Sequence, residues 1–180
     1  MMKLTKSQLK KIILEEVAVV LSKGPQASSL FKDLMGQYIG SIRGGQLWFH
    51  GAHNTAKGIS FSADHPGILA DIYTAFEEQY DEAVEKAIGN TSDDMMGCPM
   101  CNTKKAMEVM SNYESPASMD EEGIIDTGLQ MLQDHHQLMT DVFDQLEEAG
   151  ELPLGVNDML AAHANDIETF IYLMQQRAKR

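Results

Sequence analysis

Apolar residues recur at helical spacing along almost the whole of this chain, whereas the alternating pattern of a β-strand is nearly absent. The clearest series advances by four and three residues in turn, as in a helix packed in a bundle: Ile125, Leu129, Leu132, His136, Met139, Phe143 and Leu146. Helices with one apolar face bury it by packing against each other. The sequence therefore predicts an all-α protein.

Four long segments carry the helical pattern, and turn residues separate them. They cover approximately residues 29–54, 64–89, 118–149 and 156–176. Ser118 and Glu121 form a capping box at the start of the third segment. Gly44 and Gly45 are adjacent inside the first, which indicates either a close helix crossing or a bend.

The connector between the second and third segments, residues 90–117, is long and polar and contains a short helical stretch at 103–110. A connection of this length is usually a crossover or a functional loop. Four helices joined in this way predict a four-helix bundle over residues 26–180, which is a single domain. For residues 1–25 the pattern predicts a separate amphipathic helix, at about 5–22, with a capping box at Thr5 and Gln8.

The charge balance restricts the partners of the chain. There are 14 Lys and Arg residues against 27 Asp and Glu, so the net charge of -13 repels nucleic acid and attracts cations. Apolar runs such as Val17 to Leu21 are far shorter than the roughly 20 residues of a membrane span. The amino terminus has no signal-peptide core, so we expect a cytoplasmic location.

Several polar residues fall where a bundle core or a subunit face should be apolar: His50, His53, His65, Asp81, Glu85, His135, His136, His163 and Asp166. A lone histidine on an apolar seam is more often a hydrogen-bonded core residue than a metal ligand, and we interpret His136 and His163 in this way. The acidic run at 77–85 could likewise be a solvated helix face. What favours a functional role is the arrangement of His53, His65, Asp81 and Glu85.

Two motifs contain these four residues. In the first, His53 lies five residues before Gly58, with Lys57 between them, and Phe61 precedes His65, which is twelve residues after His53. In the second, residues 77–82 read Glu-Glu-Gln-Tyr-Asp-Glu, and Glu85 follows Asp81 by four. The last segment contains the apolar and aromatic run Thr-Phe-Ile-Tyr-Leu-Met at 169–174.

In these motifs the chain resembles the Dps family, the mini-ferritins that oxidise and store iron and in some members bind DNA. The resemblance covers residues 27–178 as architecture and is specific over 47–89. The chain also departs from the family. Asn54 stands where the family usually has Trp, and one extra residue lies between His65 and Asp81, at Pro66–Gly67. Residues 90–102 replace a short Gly-rich link.

The resemblance implies a ferritin-like bundle whose metal ligands are His53, His65, Asp81 and Glu85, with ferroxidase activity at the bound iron. His50 would be an additional ligand or a neighbour of the ligands. His65 and Asp81 are sixteen residues apart on one predicted helix, which is about 24 Å. If all four residues are ligands, the histidines of one chain must therefore meet the carboxylates of another, which requires at least a two-fold dimer. The resemblance implies a dodecamer.

Two other functions remain open at this stage. A hemerythrin-like bundle that binds metal or oxygen could use Asp134, His135 and His136 beside His163. Alternatively, the chain could be a metal-free structural or interaction protein with a ferritin fold. A ferritin-like di-iron site within each bundle is disfavoured, because it needs Glu-x-x-His pairs and the sequence has none.

The only two cysteines, Cys98 and Cys101, form a Cys-x-x-Cys motif in the connector. Redox motifs of this kind usually open a helix after a strand, and no strand is predicted here. Ordinary cysteines in a loop are one interpretation. A more specific interpretation is a zinc ion shared by two chains. Two chains are needed because one chain has only two of the four thiolates of a structural zinc site.

Overall fold

The computed structural model describes residues 27–179, so the amphipathic helix predicted at 5–22 lies outside the described part. Within that part every element of secondary structure is helical. It contains five helices of twelve residues or more: α1 (Ser29–Thr55), α2 (Leu69–Thr91), α3 (Pro99–Met110), α4 (Glu121–Glu148) and α5 (Leu154–Ala178). The predicted all-α bundle is confirmed, with α3 inside the long crossover between α2 and α4.

Helix α1 is the centre of the packing, because it contacts α2, α3 and α4, while α4 pairs with α5 and α5 also contacts α2. Its central side chains are almost fully buried among apolar residues of the other bundle helices. The core includes Tyr38, Ile39, Ile42 and Phe49 of α1, Ile72 and Phe76 of α2, Leu132 and Leu146 of α4, and Leu160 and Ile167 of α5.

Glycines allow α1 to approach its neighbours closely. A Cβ atom on Gly45 would lie 2.9 Å from the ring of Phe76 on α2, and one on Gly44 would lie 3.1 Å from Val109 on α3. Helix α1 nevertheless continues without interruption to Thr55. Of the two expectations for the adjacent glycines, the close crossing is therefore confirmed and the bend is not.

The second bundle helix has an irregular start. A single turn at Phe61–Ala63 leads into a π-helical turn, Asp64–Ile68, before α2 begins at Leu69. Gly67 within that turn has φ -103° and ψ -113°, which is not helical. A π-bulge accommodates an additional residue within a helix. The irregular turn thus lies at Pro66–Gly67, the position of the extra residue that the resemblance implies.

Three sequence details are corrected. The capping box at Ser118 is wrong, because Ser118 belongs to a short 3-10 turn and the Asp120 side chain caps α4 by accepting the Gly123 N–H at 2.8 Å. The connector helix α3 begins at Pro99 rather than 103. The buried histidine of α4 is His135, whereas the predicted seam contained His136. Among residues 27–179, no helix combines the length and apolarity that crossing a bilayer would need.

Candidate functional site

His53 and His65 lie together at one end of the bundle. His53 is in the last turn of α1, and His65 is in the π turn before α2. Their rings stack with centroids 3.8 Å apart and planes 16° apart. The structure thus brings together the two histidines that the sequence singled out.

Reciprocal hydrogen bonds fix the orientation of both rings. The Nδ1–H of His53 donates to the backbone carbonyl of His65, and the Nδ1–H of His65 donates to that of His53, each at 2.7 Å. A carbonyl oxygen only accepts, so Nδ1 carries the hydrogen in each ring. When such a ring is neutral, its Nε2 atom keeps its lone pair, which is the arrangement of a histidine ready to bind a metal.

An ion-pair network holds the turn that carries His65. Asp64 is buried, with 5% of its surface exposed, and Arg177 at the end of α5 donates to both of its carboxylate oxygens at 2.9–3.1 Å. Arg177 also donates to Glu121 of α4 at 3.2 Å. These hydrogen bonds raise the pKa of Arg177. The network therefore ties the histidine segment to the ends of α4 and α5.

Aromatic neighbours surround the histidine pair. Phe61 stacks on His65 with ring centroids 4.8 Å apart. The exposed side chain of His50 stacks on Tyr73 at 4.7 Å, and its ring centroid is 6.3 Å from that of His53. His50 is therefore near the pair without being part of the stack.

Asp81 and Glu85 lie farther along α2, with exposed side chains. Asp81 is twelve residues beyond Leu69, which corresponds to about 18 Å along the helix axis. No hydrogen bond or ion pair joins either carboxylate to another side chain within the described residues. The four predicted ligands thus form two separate pairs in one chain. Among residues 27–179, no three His, Cys, Asp or Glu side chains are close enough to hold one metal ion.

A second polar cluster lies inside the bundle, around Tyr38. The Tyr38 hydroxyl donates to Nδ1 of His163 at 2.7 Å, and Nε2–H of His163 donates to Glu82 at 3.3 Å. Nδ1 of His135 bonds to the Ser41 hydroxyl at 2.8 Å. The interpretation of His163 as a hydrogen-bonded core histidine fits this geometry.

Burial controls protonation in this cluster. Burial, followed by the electrostatic effects of His163 and His136, lowers the pKa of His135 to about 3. Burial also lowers the pKa of His163, although Glu82 opposes the shift, and it raises the pKa of Tyr38. Both imidazoles are therefore neutral near pH 7.

The residues proposed for a hemerythrin-like site are dispersed. His135 and His163 both stack on Tyr38, but the partly exposed His136 contacts Glu168 on the outside of the bundle. Asp134 is exposed and accepts from Tyr113. The side chains at 134–136 therefore do not point to a common centre.

Local sequence patterns did not indicate the residues that position the candidate site. Arg177 is 113 positions from Asp64, so no local spacing could indicate their contact. Asp64 could have given a weak signal, because it directly precedes the candidate ligand His65. A carboxylate that is buried at such a position needs a hydrogen-bonding or charged partner. Tyr38 and Ser41 are buried residues of α1, and a hydroxyl that faces a histidine of another helix has no signature in the sequence.

Cys98 and Cys101 form a disulfide at the start of α3, with Cα atoms 5.3 Å apart. Neither sulfur in a disulfide is a thiolate, and only the thiolate binds zinc well. This arrangement argues against the shared zinc site.

No protein-family model matches the chain, and no curated protein matches its sequence. Among solved structures, the fold is similar to that of Dps from Mycobacterium smegmatis in a tetragonal crystal form. The TM-score is 0.72 at 18% sequence identity, and the match covers 86% of this chain and 88% of that one. The structural similarity supports a Dps-like, ferritin-type bundle.

Proposed function

We propose that this protein is a Dps-like mini-ferritin that binds Fe(II) between subunits and oxidises it. The observation that carries the proposal is the pair His53 and His65. Both rings are held by the backbone so that each keeps an Nε2 lone pair, and the pair lies at the helix ends where the Dps-like motifs place ligands.

The chemistry of the four residues suits iron as a substrate. Imidazole and carboxylate ligands accept both Fe(II) and Fe(III), whereas thiolates would select zinc or an iron–sulfur cluster. Each Fe(II) gives one electron to dioxygen or a peroxide that reaches an open coordination position. The protein fixes the ligand geometry, and the carboxylates offset the added positive charge of Fe(III).

If all four residues are ligands, the distance between the two pairs requires a second chain. In a two-fold dimer, the histidines of one chain can meet Asp81 and Glu85 of its partner, which generates two equivalent sites. The exposed apolar residues next to the histidines support a subunit contact at this end, because Ile59 is 99% and Phe61 45% exposed. We propose such a dimer as the minimum assembly, and a dodecamer that stores ferric iron as the complete one.

Ferroxidase assays with single variants test the ligand set. We expect His65→Gln and Asp81→Asn each to slow Fe(II) oxidation at least about tenfold, because each removes a metal ligand. Asp126→Asn is the matched control, since Asp126 is an exposed carboxylate on α4, and it should oxidise Fe(II) at the parent rate. Parent rates for both site variants, with loss of activity in a His135 variant, would place the reaction inside the bundle and contradict the proposal.

Mixing the two inactive chains tests whether the site lies between subunits. If chains with His65→Gln and chains with Asp81→Asn are refolded together in equal amounts, half of the dimers are mixed. Each mixed dimer has one intact site and one that lacks both ligands, so about a quarter of the parent activity should return. If the ligands came from one chain, no activity would return, and the intersubunit proposal would be wrong.

A further inference from the structure

The Cys98–Cys101 disulfide lies outside the proposed iron site, in the crossover between α2 and α4. Cys98 is the N-cap of α3, Pro99 occupies the first turn, and the sequence separation of the two cysteines is three. The Cys-x-x-Cys motif thus opens a helix, although no strand precedes it in the described part of the chain.

Contacts other than this disulfide hold the start of α3. A bond across three residues closes a very small loop, so it removes little conformational entropy from the unfolded chain. The start of α3 is held instead by the buried side chain of Asn102, which donates to the Met96 carbonyl at 3.0 Å and to the Tyr80 hydroxyl at 3.1 Å. A role as a structural cross-link therefore explains the motif poorly.

The two sulfurs have different surroundings. Cys101 is exposed, and its neighbour Met100 is 80% exposed, so a reagent can reach this side of the bond. Cys98 is partly buried, and its Sγ accepts the backbone N–H of Cys101 at 3.2 Å. A helix N-terminus stabilises a thiolate at such a position. Cys98 is therefore the better leaving group and Cys101 the more accessible point of attack.

We propose that Cys98 and Cys101 are a redox-active couple that exchanges two electrons with an external dithiol. A thiolate of the dithiol attacks Sγ of Cys101, the bond between the two cysteines breaks, and Sγ of Cys98 leaves as a thiolate. The second thiol of the reagent, deprotonated, then attacks the mixed disulfide and releases Cys101, which takes up a proton. The dithiol becomes a disulfide, and the protein gains two electrons. This activity goes beyond the proposed iron chemistry and does not rest on it.

Reduction of the folded full-length protein by dithiothreitol is the first test. Thiols are trapped with a maleimide and counted by mass spectrometry of the intact chain, while circular dichroism follows the helix content. We expect reversible conversion between zero and two free thiols, with unchanged helix content and no acceleration by sub-denaturing urea. A disulfide that is reduced only when the chain unfolds would overturn the proposal. Zinc bound to two unoxidised thiols in the freshly isolated protein would also overturn it.

Single variants test the separate roles of the two sulfurs. Cys101→Ser leaves only Cys98, and Cys98→Ser leaves only Cys101 with a serine that can still cap α3. At pH 7 we expect iodoacetamide to alkylate Cys98 at least about tenfold faster than Cys101, because the helix N-terminus increases its thiolate fraction. Accessibility alone gives the opposite order, since Cys101 is the more exposed residue. Faster alkylation of Cys101 would therefore refute the proposed exchange.

Discussion

The imidazole of His135 makes the stability of the bundle sensitive to acid. Its Nε2 atom is buried and has no hydrogen-bond partner among the described residues. Burial, followed by the charges of His163 and His136, lowers its pKa in the folded protein to about 3. An unfolded chain has the ordinary histidine pKa of about 6.5 and therefore binds more protons than the folded chain between these two values. The stabilisation is complete above pH 6.5 and decreases as the pH falls toward 3.

We predict that the free energy of unfolding decreases between pH 6.5 and pH 4, by up to about 1.4 kcal/mol per pH unit from His135. Urea unfolding at several pH values measures this slope. His135→Phe should flatten it, because phenylalanine fills the site without titrating. The matched control is Met139→Leu, one turn along the same buried face. It should change stability without changing the slope. An equal slope in His135→Phe and the parent would show that other groups cause the acid sensitivity.

The two adjacent histidines of α4 show that apolar spacing does not decide which of two neighbouring positions is buried. The predicted seam contained His136, but the buried residue is His135, which lies four residues from each of the buried Met131 and Met139. Adjacent helix positions differ by about 100°, and the apolar stripe of a core helix is at least as wide as that. Both histidines are therefore compatible with the spacing, and only the packing of α4 on α1 decides between them.

At the level of elements, the close crossing of α1 and α3 depends on small residues. A Cβ atom on Gly40 would lie 2.6 Å from the Cβ atom of Lys105 on α3, so one of the two helices would have to move. Overpacking costs about 1–3 kcal/mol, whereas replacing a helical glycine with alanine gains about 1 kcal/mol in propensity. The overpacking term should dominate at this position.

We predict that Gly40→Ala lowers the free energy of unfolding by about 1–2 kcal/mol. Gly89→Ala is the control, because Gly89 lies in α2 and a Cβ atom added there would have no neighbouring atom within 4 Å. That variant should be as stable as the parent or more stable, by up to about 1 kcal/mol. Urea titrations of the three proteins measure the differences. Equal stabilisation by both changes would mean that α3 can shift without cost.

The anchor between the π turn and α5 gives a prediction for stability and iron oxidation together. Arg177→Met leaves the buried Asp64 without its cation. The free energy of unfolding should therefore fall by about 2 kcal/mol, which is less than for a fully buried pair because Arg177 is partly exposed. We also expect slower Fe(II) oxidation, because His65 follows Asp64 directly. Adding Asp64→Asn removes the unpaired charge and should restore part of the stability. Urea unfolding and ferroxidase rates measure both effects, and additive losses in the double variant would contradict the coupling.

Helix boundaries were less predictable than the helices themselves. Ser118 and Asp120 can both cap a helix, and the sequence pattern preferred Ser118 because Glu121 follows at the capping-box spacing. The structure selects Asp120, while Ser118 instead donates to the Ser115 carbonyl at 2.8 Å. Both residues satisfy a local rule, and local rules do not describe the burial of Pro116 and Met119 that accompanies capping by Asp120.

For the molecule as a whole, helix count, order and crossover followed from the sequence, since they depend on apolar spacing within each segment. The site was predictable only in part. The motif indicated His53 and His65, but their stacked geometry depends on the π turn and on Arg177, which comes from the far end of the chain. The proposed pairing with Asp81 and Glu85 would involve a second chain, and a single sequence specifies no partner contact directly.

We predict that this protein binds duplex DNA weakly or not at all, because its net charge is -13. Lys3, Lys6, Lys10, Lys11 and Lys23 give the amino-terminal segment a local excess of positive charge. At the other end, Arg177 is already paired with Asp64 and Glu121, which reduces its availability for phosphate.

Gel shifts at two salt concentrations measure the binding of duplex DNA to the protein. At about 0.15 M salt, where exposed charges are screened beyond roughly 8 Å, we expect no shift. At low salt the amino-terminal lysines should give a weak shift that Lys10→Glu with Lys11→Glu abolishes. With about five phosphate contacts, affinity should fall about 10²- to 10³-fold between 50 and 200 mM salt. A tight complex at 0.15 M salt would require a phosphate-binding surface that the net charge does not predict, and it would refute the prediction.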